Sequence, residues 1–430
     1  MSKQIAPDAR AIVDGHERAG DAAPTPKTLH VGLLWHTVFN ENLGVGALTI
    51  ANATLLVRAA ERHGYRPVLH LMGSHGAFDY GHEMPGEHDF MNVQLKALLN
   101  PFSRLNRLLR QCDIVFDIGG GDSFSDIYFG KRYWLIILSK IAVGAARTPL
   151  VFSPQTIGPF HTPMARRLAV AALKIARKVF ARDEVSLAVL EGLGVAEKSA
   201  LTCDVAFALP YHQQAARHES DGEGRPLKFG LNVSALLYRT GRSPHSNVRL
   251  TVDYPALIHS LLERLTGDPQ IDVHLVSHVI SGKDAPDPAV GHFEDDYAVA
   301  HQLKSLYPQV QVAPKFASPV EAKSYIASLD VFSGSRMHAT IAAISSDTPV
   351  IPLGYSRKFN GLFESIGYSY NIDLTCETNE AVLARFDAAL TDVPTMRAEA
   401  KAASAEARRR LGEYEAYLDE VIGKLAPRHV

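Results

Sequence analysis

Short apolar runs alternate with longer stretches of helical periodicity along most of the chain. The first run, LHVGLLWH from residue 29, predicts a buried strand, and GVGALTIANATLLVRAAERHG predicts the helix that follows it. The run RPVLHLMG predicts the second strand. Strands and helices that alternate in this way are typical of parallel βαβ units.

The same alternation continues and then restarts after a polar interruption. It predicts strands in CDIVFDIGGGDSFSD and TPLVFSPQTIGPF, a helix in KRYWLIILSKIAVGAA, a short strand and a helix in KVFARDEVSLAVLEGLGV, and a further strand in LTCDVAFALP. After HQQAARHESDGEGRP, a second series predicts strands in LKFGLNVSALL, IDVHLVSHVI (with EDDY in its exit loop), VQVAPKF, LDVFSGSRMHATIAAIS, TPVIPLGY and SYNIDL. An Ala-, Glu- and Arg-rich stretch near the carboxyl end predicts one long helix.

These patterns predict an α/β fold with two Rossmann-like, doubly wound domains that face each other across a cleft, followed by a long C-terminal helix. The predicted divisions are a mobile tail (1–27), a first domain (28–210), a linker (211–226), a second domain (227–392) and the C-terminal helix (393–430). Ligands of doubly wound sheets bind outside the carboxyl ends of the strands. Functional residues are therefore expected in the loops that follow the strands.

Composition narrows the class of protein. The chain has 430 residues and a net charge of −2, so it lacks the basic excess that a nucleic-acid-binding protein needs. Its three cysteines are widely spaced, so neither disulfide bonds nor a cysteine-ligated zinc site is expected. The N-terminal segment lacks the apolar core of a signal peptide, and the apolar run at 134–146 is too short to span a bilayer. The sequence predicts a cytoplasmic protein that needs no metal or cofactor. This prediction is compatible with peripheral attachment of the protein to the inner face of the membrane.

The segment VFSGSRMHATIAA contains the strongest candidates for functional residues. A strand ends there, a turn that includes Ser335 follows, and a helix begins, which places Arg336 and His338 at a helix N-terminus that favours an anion. Shortly afterwards Arg357 and Lys358 lie between a strand and another helix. Together these cations suit a doubly anionic ligand. The alternative is that Arg336 pairs with a carboxylate, that His338 is structural and that the later pair is a solvated loop.

Glycine-rich turns in the first half of the chain predict places where a ligand can lie close to the backbone. Gly120 and Gly121 follow a strand, and the neighbouring Asp122 and Asp126 could orient sugar hydroxyls or act as bases. Asn42 and Gly44 form a similar turn into a helix N-terminus and are candidates for substrate binding. Polar residues that follow other predicted strands are candidates for substrate binding or acid–base catalysis: Gln155, Thr156 and His278, the last with Asp295 or Asp296 as its partner. Structural glycine turns and a structural histidine are the alternatives.

In combination, these segments resemble the polysaccharide pyruvyltransferase family. The resemblance is carried, in order along the chain, by NLGVGAL, DIGGGDSFSD, SPQTIGPF, ARDEVSLAVLEGLGV, LTCDVAF and GSRMHATIAAISSDTPVIPLGYSRKFNGLFESIG. One motif would be weak, but the ordered series spans roughly residues 29–370.

The resemblance implies a fold similar to the GT-B glycosyltransferases. It also implies phosphoenolpyruvate as the donor and, as the acceptor, a sugar diol of an exopolysaccharide or cell-envelope precursor, which can be lipid-linked. Arg336 then corresponds to the ligand of the donor anion and His338 to a catalytic acid or base. Many members have an Asp where this chain has Val45, so no acidic role is assigned to the first loop.

Two other functions fit the same architecture. A nucleotide-sugar glycosyltransferase also places cations at a helix N-terminus of its second domain, and fold analogy does not separate it from a pyruvyltransferase. A non-catalytic glycan-binding protein could have kept the fold. Binding of a nucleoside diphosphate would favour the first alternative, and glycan binding without turnover would favour the second.

Overall fold

The computed structural model describes residues 26–128, 130–212, 225–240, 249–281 and 294–426. Within these ranges the chain forms two parallel sheets, each with helices on both faces. Most of the predicted mobile tail and of the predicted linker lies outside the described residues.

The first sheet has seven parallel strands in the order β3-β2-β1-β4-β5-β6-β7. Its strands are Lys27–Leu34 (β1), Tyr65–Gly73 (β2), Glu87–Asn92 (β3), Ile114–Asp117 (β4), Leu150–Gln155 (β5), Lys178–Ala181 (β6) and Ser199–Leu201 (β7). Its helices are Leu43–Arg62 (α1), Leu95–Leu99 (α2), Arg104–Gln111 (α3), Lys131–Ala145 (α4), Pro163–Ile175 (α5) and Glu184–Gly192 (α6). Short 3₁₀ turns include Gly119–Gly121, Asp126–Tyr128 and Val205–Ala208.

The second sheet has six strands in the order β10-β9-β8-β11-β12-β13. Its strands are Leu227–Asn232 (β8), Ile271–Leu275 (β9), Gln311–Val312 (β10), Val331–Gly334 (β11), Val350–Gly354 (β12) and Ile372–Asp373 (β13). The remaining helices are Ala235–Thr240 (α7), Tyr254–Gly267 (α8), Asp296–Leu306 (α9), Pro319–Ala327 (α10), Met337–Ser345 (α11), Arg357–Ser365 (α12), Asn379–Thr391 (α13) and Val393–Gly423 (α14). Both sheets therefore repeat the doubly wound strand order of a Rossmann fold, which confirms the predicted fold class.

Helix α1 lies between the two sheets and is apolar on nearly all sides. It is the one helix in the described part of the chain whose length and composition would allow it to cross a membrane, and 83% of that apolar window is buried inside the protein. It packs against α14, α10 and α11 and against the 3₁₀ turn at Val205–Ala208. An all-round apolar helix of this kind is what a buried core position requires.

Helix α14 returns from the second sheet to the first. Its Tyr414 donates a hydrogen bond to Asn52 of α1 at 2.8 Å and lies 2.9 Å from the hydroxyl of Ser153. All three side chains are buried. Because a buried polar group is costly without a partner, this network fixes α14 against the first sheet.

Several predicted strands are shorter than the sequence pattern indicates. LTCDVAFALP continues β7 by a single residue, since Asp204 accepts a hydrogen bond from the amide of Ala206 and starts the 3₁₀ turn. In IDVHLVSHVI the strand ends at Leu275. The EDDY segment is not an exit loop, because Asp295 caps helix α9 by accepting from the amides of Tyr297 and Ala298.

Candidate functional site

His338 stands where the carboxyl edges of the two sheets meet. It is the second residue of α11, and its ring Nε2 lies 3.7 Å from a carboxylate oxygen of Asp204, which follows the last strand of the first sheet. On its other side the ring touches the first turn of α1, where a Cβ at Gly44 would overlap Nδ1. Elements of both domains therefore surround this imidazole.

Asp204 is fully buried and its negative charge is balanced by Arg182. The Arg182 guanidinium donates to Asp204 at 2.7 Å and to the hydroxyl of Thr156 at 2.9 Å. Burial acts to raise the pKa of Asp204, but the ion pair with Arg182, the contact with His338 and the amide of Ala206 together lower it to about 2. The carboxylate beside His338 is therefore ionised throughout the neutral range.

The guanidinium of Arg336 is held by a carboxylate of its own domain. Its Nη2 and Nε donate to Asp296 at 2.8 and 3.2 Å, and Nη1 lies 3.9 Å from Glu294. This pairing is the alternative that the sequence left open for Arg336. The ion pair with Asp296 raises the pKa of Arg336 above its ordinary value despite burial, so the side chain is a fixed cation at the cleft.

Asp296 joins four segments at the carboxyl edge of the second sheet. Besides Arg336, its oxygens accept hydrogen bonds from the amides of Ala235, His278 and Val279. The side chain is only 1% exposed. A single buried carboxylate at the start of α9 thus sets the positions of the α7 start, the β9 exit loop and Arg336 relative to one another, although Ala235, His278 and Arg336 are far apart in sequence.

The ring of His278 does not form the predicted acid–base pair with Asp295 or Asp296. Only its backbone amide contacts Asp296, and no described residue hydrogen-bonds to either ring nitrogen. Burial, and then the nearby His338 and Arg336, lower the pKa of His278 to about 3. The ring is therefore a neutral imidazole beside His338 and Arg336, with no hydrogen-bond partner among the described residues.

The glycine-rich turn of the first domain packs against the same region. Gly120 and Gly121 have φ values of 59° and 91°, a conformation that side chains with a Cβ seldom adopt. A Cβ at Gly121 would lie 2.7 Å from Leu48 of α1 and 3.8 Å from Arg182. Asp122 closes this turn and is half-buried. The turn thus brings its backbone next to the Arg182–Asp204 pair.

Two predicted substrate ligands instead hold these loops together. Gln155 is fully buried and donates to the carbonyl and the carboxylate of Asp117, directly beneath Gly119. Asp126 accepts from the amides of His161 and Thr162, just before α5 begins. The structure does not expose either side chain along the cleft as predicted, because each satisfies backbone or side-chain groups inside the first domain.

Asn42 and Ser335 are also engaged within the protein. Asn42 caps α1 by accepting from the amide of Gly44 at 3.0 Å, and its backbone pairs with Val279 of the second domain. The Ser335 hydroxyl is buried and accepts from Tyr254 at 2.8 Å. The loop before α1 therefore connects the two domains at the floor of the cleft.

The helices that carry the predicted cations lack side-chain caps. Most described helices begin with a Ser, Thr, Asp or Asn side chain that accepts from an early amide, but α11 and α12, like α2 and α4, do not. The first amides of a helix have no partner within it and attract anions. Arg357 and Lys358 are the first two residues of α12, and their side chains lie outside the described part of the structure.

The sequence motifs predict neither Arg182 nor Asp204 as a site residue, and they predict Asp296 only as a partner of His278. The first two lie in the segments ARDEV and LTCDVAF, which carry family resemblance, but no local spacing connects them to each other or to His338. Only the structure shows that these residues matter, because each is a charged side chain that is almost completely buried.

Comparison with known proteins shows which family the sequence matches. A family model described as polysaccharide pyruvyl transferase matches residues 50–357. The amylovoran biosynthesis protein AmsJ of Erwinia amylovora is 20% identical over 289 residues, which cover 65% of this chain and 64% of AmsJ. The chain therefore spans just under two thirds of the length of this curated relative.

Solved structures with a similar fold cover nearly the whole chain. Anabaena HepE in complex with UDP has a TM-score of 0.54 at 15% identity and covers 93% of this chain and all of its own. A putative UDP-N-acetylglucosamine 2-epimerase of Listeria monocytogenes has a TM-score of 0.58 at 11% identity and covers 91% of this chain and 97% of its own. At these identities the similarity shows the GT-B-like fold alone.

Proposed function

Because the chain belongs to the polysaccharide pyruvyl transferase family, we propose that it transfers pyruvate from phosphoenolpyruvate to two hydroxyls of one sugar. The product would be a pyruvate ketal on an exopolysaccharide or cell-envelope glycan precursor, and phosphate would be released. AmsJ, the curated relative, is an amylovoran biosynthesis protein, which agrees with an acceptor of this class.

The observation that best supports this function is the surrounding of His338. Its Nε2 has no hydrogen-bond partner among the described residues, yet it lies 3.7 Å from the ionised Asp204. A carboxylate at this distance stabilises the positive charge that forms when the ring takes up a proton. An imidazole with one unpartnered nitrogen and an ionised neighbour can deliver a proton to a substrate and recover it.

The donor would bind between the start of α11 and the start of α12. Phosphoenolpyruvate carries a carboxylate and a phosphate, and two uncapped helix starts offer backbone amides to both. Arg336 supplies a fixed cation, because Asp296 orients it from behind. Arg357 and Lys358, at the start of α12, would supply further positive charge. No metal ion is required for this arrangement of charges.

The proposed reaction starts with transfer of a proton from His338 to the methylene carbon of phosphoenolpyruvate. The resulting cationic carbon is attacked by the first sugar hydroxyl, which loses its proton to a nearby base such as Asp122 or the deprotonated His338. Cleavage of the bond between carbon and phosphate oxygen releases phosphate, and the second hydroxyl closes the ketal. Of the two hydroxyl protons, one replaces that lost by the acid and the other leaves with phosphate.

The acceptor would enter from the side of the first domain. Gly120 and Gly121 have no side chains, so the backbone of their turn comes close to Arg182. Asp122, at the end of this turn, is half-buried. Holding both hydroxyls next to the reactive carbon would supply much of the rate enhancement, since it replaces encounters in solution by a fixed geometry. The acceptor in this proposal can be free or lipid-linked.

The test is phosphate release from phosphoenolpyruvate by the purified protein with a panel of synthetic and lipid-linked glycosides. We expect release that depends on one acceptor, with a mass gain on that sugar equal to a pyruvate ketal. Turnover of a nucleotide sugar, with protection from heat by uridine diphosphate, would instead identify a glycosyltransferase. Glycan binding without turnover of either donor would identify a non-catalytic protein.

A further inference from the structure

The net charge of −2 conceals an uneven distribution of charge over the surface. Helices α2, α3, α4 and α5 pack side by side on one face of the first sheet, away from α14. We call them the α2–α5 layer. Between Phe90 and Arg182 every Asp of this described stretch is buried or half-buried, and no Glu occurs there. Exposed cations of the same stretch include Lys96, Arg104, Arg107, Arg110, Lys131 and Arg166.

The same layer also exposes large apolar side chains. Five of the seven exposed large hydrophobic residues in the described part of the chain lie in these helices or in the turns just before them. They are Leu99 at 65%, Phe102 at 80%, Ile127 at 42%, Ile141 at 38% and Met164 at 47%. Single exposed apolar residues are common on soluble proteins, but a concentration of them on one basic face is not.

The apolar tip of this face is the loop between α2 and α3. Leu99 and Phe102 project from it, and Pro101 lies between them. Arg107 and Arg110 donate to the carbonyls of Phe102 and Pro101 at 3.1 Å, so the loop is held in place by cationic side chains. Exposed aromatic and aliphatic groups surrounded by arginines match the interface of an anionic bilayer, where acyl chains lie beneath negative headgroups.

This face lies at the same end of the first sheet as the cleft. Helices α3, α4 and α5 each lead into the next parallel strand, so each begins near the carboxyl edge of the sheet. Phe102 comes just before α3, Ile127 comes before α4, and Met164 is the second residue of α5. Three of the exposed apolar side chains are therefore at the cleft end of the layer.

We propose that the α2–α5 layer is a docking surface for an anionic lipid bilayer. Phe102 and Leu99 insert among the headgroups, and the surrounding Lys and Arg side chains contact lipid phosphates. Docked in this way, the protein holds the carboxyl edge of its first sheet close to the bilayer. This proposal concerns a surface outside the candidate site and does not depend on the pyruvyl transfer proposed above.

The test is vesicle flotation with the full-length protein. Vesicles of phosphatidylcholine alone are compared with vesicles that also contain about one third phosphatidylglycerol, at low and high salt. We expect binding to the anionic vesicles that weakens as salt rises, because surface charges are screened. Neither vesicle contains a glycolipid or phosphoenolpyruvate, so the outcome is separate from catalysis.

Two variants test the surface. Phe102→Ser removes a side chain that is 80% exposed, and we expect the partition coefficient to fall about tenfold. Arg104→Glu combined with Lys131→Glu reverses two cations at the first positions of α3 and α4, where an acidic residue suits the helix dipole. We expect this variant to lose at least about tenfold in binding to anionic vesicles.

The matched controls lie elsewhere on the chain. Leu306→Ser in α9 removes another exposed apolar side chain, and Lys401→Glu in α14 reverses another exposed cation. Both should bind vesicles as the unchanged protein does. Equal loss in the controls, absence of binding to anionic vesicles, or binding of the same surface to nucleic acid or to a second copy of the chain instead of vesicles would overturn the proposal.

Discussion

The imidazole of His338 lies 3.7 Å from the carboxylate of Asp204, although one belongs to the second domain and the other to the first. The contact forms only when the carboxyl edges of both sheets face each other. If His338 is the proton donor, as proposed, its action depends on the relative position of the two domains.

Substitution of His338 by Ala should remove the proposed acid while the donor site keeps Arg336 and both helix starts. We expect kcat to fall by roughly 10² to 10⁴, the usual contribution of a general acid, with a much smaller change in the affinity for phosphoenolpyruvate. Acceptor-dependent phosphate release and calorimetric titration of the donor measure the two effects. Turnover near that of the unchanged protein would remove His338 from the mechanism.

Substitution of Gly44 by Ala should act on His338 without changing it. The added Cβ would overlap ring Nδ1, so the imidazole must shift from its present position beside Asp204. We expect kcat to fall as it does for His338→Ala, with circular dichroism unchanged. Gly412→Ala is the matched control, because its Cβ meets no atom and a helix interior gains about 0.5–1 kcal/mol from Ala. An active Gly44→Ala protein would contradict the close packing described here.

Acid should weaken the fold through Asp204. Its folded-state pKa of about 2 lies below its ordinary value of 3.8, so the ionised carboxylate stabilises the fold above about pH 4. This contribution, on the order of 2 kcal/mol, is lost as the pH falls towards 2. Urea unfolding of the unchanged protein and of Asp204→Asn, at pH 5 and pH 3, measures it. We expect the difference between them to be smaller at pH 3; a constant difference would contradict the prediction.

Asp295 and Asp296 provide a comparison between neighbours. Asp296→Asn removes the charge that holds Arg336, and we expect a loss of about 3–5 kcal/mol in stability together with weaker donor binding. Among the described residues Asp295 caps α9, a role that Asn fills equally well, so Asp295→Asn should change neither quantity. Thermal unfolding and donor titration distinguish the two. Similar effects of both substitutions would mean that Asp296 acts only as a helix-start residue.

The two doubly wound sheets could be predicted from sequence because their strands are buried apolar runs separated by helices of regular period. The resemblance to the family rested on an ordered series of motifs and is confirmed by the match over residues 50–357. Strand β3, EHDFMN, was missed because it is an edge strand whose residues are exposed or half-buried, so it lacks an apolar run. The two-residue strands β10 and β13 are also edge strands, and each pairs with its one neighbour over fewer residues than its apolar run predicts.

The site was predictable where local sequence determines position and not where it depends on distant contacts. Arg336 and His338 could be placed at a helix start from the strand–turn–helix pattern alone. The partners that matter to them, Asp296 and Asp204, lie 40 and 134 residues away, and only packing of the domains selects them. For the same reason Gln155 and Asp126 were misplaced: their polar groups serve internal bonds that sequence does not reveal.

The position of α14 has a consequence for how the protein is made. Tyr414 completes a buried network with Asn52, a residue 362 positions earlier in the chain. During translation the first domain emerges with one apolar side of α1 still uncovered, and it stays so until the ribosome has synthesised nearly everything else. Contacts of such long sequence separation form late and slow folding. The nascent first domain should therefore need protection from a chaperone until α14 arrives.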